Sequence, residues 1–309
     1  MARITIGRTN LGYEEKGTGS PVVLVHAAVG DRSMWDHQFE ALARRHRVVR
    51  YDWRGYGESD DTGGPVAHYE DLLALMDALE IERATLVGAS MGGGHAVDAA
   101  LVAPERVTGL ALVCAGMTGR EWPGSFTEAA GRAMAGAVPK ERLARYREGH
   151  ADPDPADVAA MAQAQARFVA LGPRRGPEDL PAPVWERILE LYRTTFHRMW
   201  SGPPTTMRSP EPPAEGRLAE IGVPTLVVRG GYDVPEIREV SDLYAAGVPG
   251  ARLVELPDAG HLPSVERPEE LTEVLDGFLA DLHPEKSREQ RTSSDAIHYV
   301  TERDRDEAR

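Results

Sequence analysis

The amino-acid sequence predicts an α/β fold: a mostly parallel sheet with helices on both faces and a block of helices inserted into it. Three observations lead there. Short apolar runs without polar alternation recur along the chain, as in "PVVLVHA", "ATLVGA", "VTGLALVCAG" and "VPTLVVRGG", and strands buried on both faces read this way. Segments with helical spacing lie between them. The rhythm stops near Gly116 and resumes after Arg217, which marks an insertion rather than a second α/β unit.

Each element follows in order. "ARITIGR" and "LGYEEKG", separated by Thr9 and Asn10, read as an opening β-hairpin. The strand Pro21 to Ala27 comes next, then a helix in "MWDHQFEALARRH" with Trp35, Phe39 and Leu42 on one face. "RVVRYDW" is a strand and "HYEDLLALMDALEI" an amphipathic helix through Leu72, Leu73, Met76 and Leu79. The strand "ATLVGA" leads into the helix "GGHAVDAALVA", which Pro104 ends, and "VTGLALVCAG" is the following strand. Met117 to Arg217 is rich in Ala, Arg and Pro, offers helical segments and no convincing strand, and closes in the proline-rich connector "SGPPTTMRSPEPPAEG". A strand, the helix "PEIREVSDLYAAG", the strand "ARLVELP" and the helix "PEELTEVLDGFLADL" complete the series. The expected organisation is thus core residues 1–116, a helical cap insertion at 117–217 and core residues 218–282. Residues 283–309 mix both signs of charge with few apolar side chains and read as a disordered tail.

Composition narrows the function. A chain of 309 residues, 41% hydrophobic and 27% charged, has the make-up of a soluble globular protein with a sizeable core. A net charge of −14 argues against a nucleic-acid partner and against an anionic membrane surface. No apolar run approaches the length of a membrane span, and the N-terminus lacks the apolar stretch of a signal peptide, so the expected location is the cytoplasm. The single cysteine, Cys114, cannot form an internal disulfide and reads as a small buried hydrophobe.

The chemistry is concentrated around "VGASMGG". Ser90 stands between Gly88 and Gly92, after a strand and before a helix. G-x-S-x-G in that setting is a nucleophile elbow, a tight turn that pushes the serine Oγ outward. A serine hydroxyl needs a base and a group that orients the base. In this kind of fold they follow in the order serine, acid, histidine. "PTLVVRGGYDVP" places Asp233 just past one strand and "RLVELPDAGHLPSVERPEEL" places His261 past the last one. Both fall at the carboxyl edge of the sheet, where α/β sites form. Asp258 competes for the acid role but precedes the histidine in the same loop. His95, five residues after Ser90 on one helix, is expected to pack beside the sheet rather than to reach Oγ. The histidines lack H-E-x-x-H spacing, which argues against a zinc hydrolase, and no metal or organic cofactor is expected.

On these residues the chain resembles the α/β-hydrolase superfamily, specifically its serine esterase and enol-lactonase-like members with a helical cap. "GASMGG" looks like the elbow, "YDWRGYGESD" is similar to the D-x-R-G-x-G-x-S turn, "GGYD" looks like the acid loop and "AGHLPSVERPEEL" the histidine loop. The match covers Gly12 to Cys114 and Ile221 to Leu282; the cap matches only in position. The resemblance implies that Ser90, Asp233 and His261 are catalytic. It implies that the backbone N–H groups of Met91 and Ala28 form the oxyanion hole, with Ala27, in place of the usual glycine, as the other choice for the second donor. His26 is then expected to anchor that loop, and Asp52, Arg54, Gly55 and Gly57 to be structural or to border the site. Trp122, Trp185, Phe196 and Trp200 of the cap are candidates for the substrate pocket.

The implied activity is cleavage of a small-molecule carboxylic ester or lactone through an acyl-enzyme. Superfamily dehalogenases and epoxide hydrolases carry Asp where this chain has Ser90. Two alternatives stay open on the same residues: carbon–carbon bond hydrolysis of a dienone, and slow turnover by a ligand-binding signalling protein. The enzyme reading leads because every member of the constellation has a catalytic rationale.

Overall fold

A computed structural model describes residues 2–61, 63–149 and 151–282. The expected charged tail at 283–309 lies outside them. Ten strands and ten α-helices are described. The strands β1 (Ala2–Ile6), β2 (Thr9–Lys16), β3 (Ser20–Val25), β4 (His46–Tyr51), β6 (Ala84–Ala89), β7 (Val107–Val113), β9 (Thr225–Gly230) and β10 (Arg252–Leu256) form one sheet in the order β1-β2-β4-β3-β6-β7-β9-β10. β1 pairs with β2, and β2 with β4, in antiparallel fashion; every other pairing in this sheet is parallel.

The continuous apolar runs are explained by two cores, one on each face. Successive side chains of a strand point to opposite faces. Val22 and Leu24 of β3, Val87 of β6, Val113 of β7 and Leu226 of β9 join one core, which includes α1 (Asp36–Leu42) and α10 (Pro268–Leu282). Val23, Val25, Leu86, Leu112 and Val227 join the other, with α2 (His68–Ala78), α3 (Met91–Val102) and α8 (Pro235–Gly247). Fully burying one such aliphatic side chain contributes about 1.5–3 kcal/mol.

Four helices are inserted between β7 and β9: α4 (Gly124–Met134), α5 (Lys140–Arg147), α6 (Pro155–Val169) and α7 (Ala182–Ser201). α7 buries Ile188, Leu191, Tyr192, Thr195, Phe196 and Trp200. This stripe of i, i+3 and i+4 positions is the amphipathic pattern that turns one helix face inward. It packs into the same core as α1 and α10. The short helix α9 (Pro263–Glu266) precedes α10. Among the described residues no helix is long and apolar enough to cross a membrane.

One feature departs from the sequence expectation. The proline-rich connector contains a strand, β8 (Thr205–Met207), which pairs in parallel with β5 (Gly64–Val66) in a separate two-stranded sheet. Three residues are too few to display a period, and Pro65, Pro203 and Pro204 mask the signal.

Asp98, on α3, is a buried carboxyl within the core. Its Oδ1 accepts from Thr118 Oγ1 at 2.6 Å, while Oδ2 has no partner among the described residues. Burial pushes it up to about 6, against the opposing effect of the Thr118 hydrogen bond. An unfolded Asp titrates near 3.9, so between about pH 4 and pH 6 the folded chain keeps a proton that the unfolded chain releases. Stability therefore falls as pH rises through that window. Asp98→Asn is expected to flatten this dependence and to raise stability above pH 6 by on the order of 2 kcal/mol. Denaturant melts of both proteins between pH 4 and pH 8 measure it, and parallel curves would refute it.

Candidate active site

β6 runs into α3 through Ser90, whose φ of 50° lies in the left-handed region. A serine there is strained by on the order of 1–3 kcal/mol and persists only where its surroundings fix it. Three backbone bonds do so. Ser90 N–H donates to the Val113 carbonyl at 3.0 Å, and the Ser90 carbonyl accepts from Gly93 at 2.9 Å and Gly116 at 2.8 Å. The flanking glycines are required by close approach. A Cβ at Gly88 would stand 2.4 Å from the Gly92 carbonyl oxygen, and one at Gly92 would stand 2.2 Å from that of His26.

The loops after β9 and β10 bring two further groups to the same edge. His261 Nε2 lies 2.9 Å from Ser90 Oγ. Its Nδ1 lies 2.9 and 3.1 Å from the two carboxylate oxygens of Asp233. A carboxylate only accepts, so Nδ1 carries the proton and Nε2 presents a lone pair to the serine hydroxyl. Asp233 is 2% exposed; its Oδ1 also accepts from the Val234 N–H at 2.7 Å. His261 is equally buried. Burial alone would lower its pKa, but the Asp233 charge, the hydrogen bond to it and the nearby Glu266 charge outweigh this and raise it above the ordinary value. Asp258 is exposed, and the carboxylate bonded to His261 is that of Asp233. His95 is buried edge-on to Trp53 at 4.7 Å, with no polar partner for either ring nitrogen among the described residues.

The loop after β3 carries Ala27 and Ala28. His26 fixes it: Nδ1–H donates to the Ala27 carbonyl at 2.7 Å and Nε2 accepts from the Trp53 N–H at 3.0 Å, so both ring nitrogens are committed. The Ala27 N–H donates to Met34 Sδ at 3.2 Å. Gly30 N–H donates to Thr195 Oγ1 at 2.6 Å, fastening the loop to α7. Asp52 accepts from the backbone N–H of Arg32 at 2.8 Å and of Glu58 at 2.9 Å, and Arg54 is paired with Asp71. Met91 opens α3, where a backbone N–H has no carbonyl one turn back to bond.

Phe196 and Trp200 line a cavity of about 740 Å³ between core and insertion, with Tyr56, His68 and Met134. Trp122 and Trp185 do not line it. Trp122 stacks on Phe126 at 4.6 Å, and Trp185 packs, half-buried, against the core shared with α1 and α10. Among the described residues the ligand-type atoms of Cys114, Asp233 and His261 gather within 4.8 Å. Asp233 and His261 are already engaged with each other, and burial, with the Asp233 charge, holds the Cys114 thiol protonated. Residues that the sequence did not single out also touch the site. Glu266 and Arg175 brace the histidine loop, and Thr195 holds the loop after β3.

Residues 20–268 match a family described as alpha/beta hydrolase fold. The chain is similar to RutD of Azorhizobium caulinodans, provisionally named a carbamate hydrolase, with 29% identity over 89% of this chain and 97% of that protein. It resembles the solved structure of a thermophilic esterase from Thermogutta terrifontis, with a TM-score of 0.69 and 27% identity over 91% of this chain and 98% of the other. It also resembles the enol-lactonase from Burkholderia xenovorans LB400, with a TM-score of 0.61 and 26% identity over 90% and 100% of the two chains.

Gly92→Ala is expected to abolish cooperative folding or leave Ser90 unreactive, since its Cβ meets two backbone carbonyls. Gly277→Ala, in α10 with nothing within 4 Å, should be stabilising by about 0.5–1 kcal/mol. Thermal melts and fluorophosphonate labelling at Ser90 compare the two glycines, and a Gly92→Ala protein that melts like Gly277→Ala and labels at the wild-type rate would refute the close-approach reading.

Proposed function

The chain belongs to the α/β-hydrolase family, and we propose that it is a serine hydrolase cleaving a carboxylic ester or lactone of a small molecule. The observation that carries this reading is the line of hydrogen bonds from Ser90 Oγ through His261 to Asp233. The esterase and the enol-lactonase to which the chain is similar support the choice of an acyl substrate. Residues 117–217 are proposed as the cap, and the cavity lined by Phe196 and Trp200, whose walls do not include Ser90, Asp233 or His261, as the space for the substrate's non-reacting part.

The proposed sequence begins as His261 Nε2 takes the Ser90 proton and Oγ attacks the carbonyl carbon. The Met91 and Ala28 N–H groups stabilise the oxyanion; removing one such donor typically lowers kcat about 10²–10³-fold. Asp233 keeps the imidazole in the required tautomer and stabilises the imidazolium. His261 then passes its proton to the departing alkoxide oxygen, leaving Ser90 acylated. Next it takes a proton from water, whose oxygen attacks the acyl carbon. Collapse returns the proton to Ser90 Oγ and releases the acid. In a lactone the alkoxide stays attached to the acyl group, and the product is one hydroxy acid.

Incubation with a fluorophosphonate tests the nucleophile. Ser90 Oγ displaces fluoride, and intact-mass spectrometry should show one adduct that Ser90→Ala lacks. No adduct on folded protein would sink the reading. The base is tested by pH. His261 must be neutral to accept the proton, and its pKa is raised. The acidic limb of kcat/KM is therefore expected above the ordinary imidazole value of about 6.5, with activity rising as pH increases through it. His261→Gln should remove both limb and turnover.

A further inference from the structure

One short segment of the insertion touches both loops that carry the acid and the base. It is the segment 170–175, which follows α6. The Ala170 carbonyl accepts the backbone N–H of His261 at 3.3 Å. Arg175 folds over the same turn, donating to the Leu171 carbonyl at 3.2 Å and the Ala170 carbonyl at 3.3 Å. Its Nη2 also donates to Glu266 Oε2 at 2.7 Å, and its guanidinium lies 4.6 Å from the centre of the Tyr232 ring. Its neighbour Arg174 donates to the carbonyl of Gly231, two residues before Asp233. Glu266 spans the histidine. Oε2 accepts from Gly260 N–H at 2.9 Å and Oε1 from Leu262 N–H at 3.1 Å.

The reason for an ion pair at this place is electrostatic. Packing the insertion over the histidine loop takes the N–H groups of Gly260 and Leu262 out of water, so they need an acceptor. Glu266 provides it, but a fully buried carboxylate must itself be paired. The Glu266 side chain is 0% exposed and that of Arg175 is 5% exposed. The arginine comes from the insertion, 91 residues away along the chain. From these contacts we propose that Glu266 and Arg175 are positioning residues for His261, and that the insertion thereby holds the imidazole in line with Ser90 and Asp233. This rests on the reading of those three residues given above.

Among the described residues, the titratable groups set against the histidine and its loop include Asp233 from the loop after β9, Glu266 from α9, Arg175 from the insertion, Cys114 from the end of β7, Tyr192 from α7 and Arg267, whose Nε donates to the Asp258 carbonyl at 3.3 Å. Cys114 and Tyr192 stay neutral because burial pushes both up. Asp233 and Glu266 therefore supply the negative charge that favours a protonated ring.

The test uses the full chain and three variants, Glu266→Gln, Arg175→Met and Arg175→Lys. For each, kcat, KM and the pH profile are measured on an aryl acetate, beside the rate of fluorophosphonate labelling at Ser90. Misplacement of a reacting group by 1 Å can lower rates by about 10²-fold. Glu266→Gln and Arg175→Met are expected to lower kcat and the labelling rate at least about tenfold, leaving KM little changed. Glu266→Gln should also move the acidic limb to lower pH, because one of two carboxylates is gone. Arg175→Lys keeps the charge but not the fork of donors, so an intermediate rate is expected. Folded Glu266→Gln and Arg175→Met proteins with wild-type kcat and acidic limb would overturn the proposal. If those two do not fold, Arg175→Lys at the full wild-type rate overturns it. A wild-type protein that neither labels nor hydrolyses overturns the reading of Ser90 itself; active wild type with unaltered variants overturns this proposal alone.

Discussion

A carboxylate held away from water is the constraint around which this structure is organised. Asp233, 2% exposed, must have donors close by, and the Nδ1–H of His261 and the N–H of Val234 supply them. Satisfying the carboxylate with the imidazole sets the ring's tautomer, and the tautomer turns a lone pair toward Ser90. The order of causes is physical rather than sequential, since the three residues come from three loops. Those loops meet because β6, β9 and β10 run parallel and end on one edge of the sheet. The price of the serine's position is a left-handed backbone, which the bonds to Val113, Gly93 and Gly116 hold in place.

Much of this was legible in the sequence because each feature has a local signature. A strand buried on both faces announces itself as an unbroken apolar run, so the core strands, and the points at which they stop, can be read directly. Ser90, Asp233 and His261 each stand just beyond such a stop, and the structure brings them within hydrogen-bonding reach. Other features have no local signature. β5 and β8 are three residues each and exist only as a pair. The inward face of a helix in the insertion depends on what it packs against, so four aromatic side chains looked equivalent although only Phe196 and Trp200 reach the cavity. Glu266 and Arg175 are ordinary charged residues in sequence, and nothing short of the fold joins them.

The insertion is packed into an apolar cluster of the core rather than resting on its surface. Its buried side chains from α6 and α7 belong to the same apolar cluster as those of α1, α10 and the sheet. Thr195 of α7 secures the loop that carries Ala28, and Ala170 and Arg175 secure the loop that carries His261. Both loops that surround Ser90 thus depend on groups that the α/β core does not supply.

The insertion is fastened at both ends. After β7, Thr118 Oγ1 donates to Asp98 at 2.6 Å; at the other end, β8 lies beside β5, and the backbone N–H of Arg208 donates to the Val66 carbonyl at 2.7 Å. Replacement of this region as a self-contained cassette is correspondingly constrained. A foreign segment grafted between the same two strands inherits an obligation to Gly64–Val66, a stretch of the host with open backbone groups. Grafts that keep the connector and exchange only the helices ahead of it preserve that pairing, but they must replace Thr195, Ala170 and Arg175 in kind if the two loops beside Ser90 are to stay held.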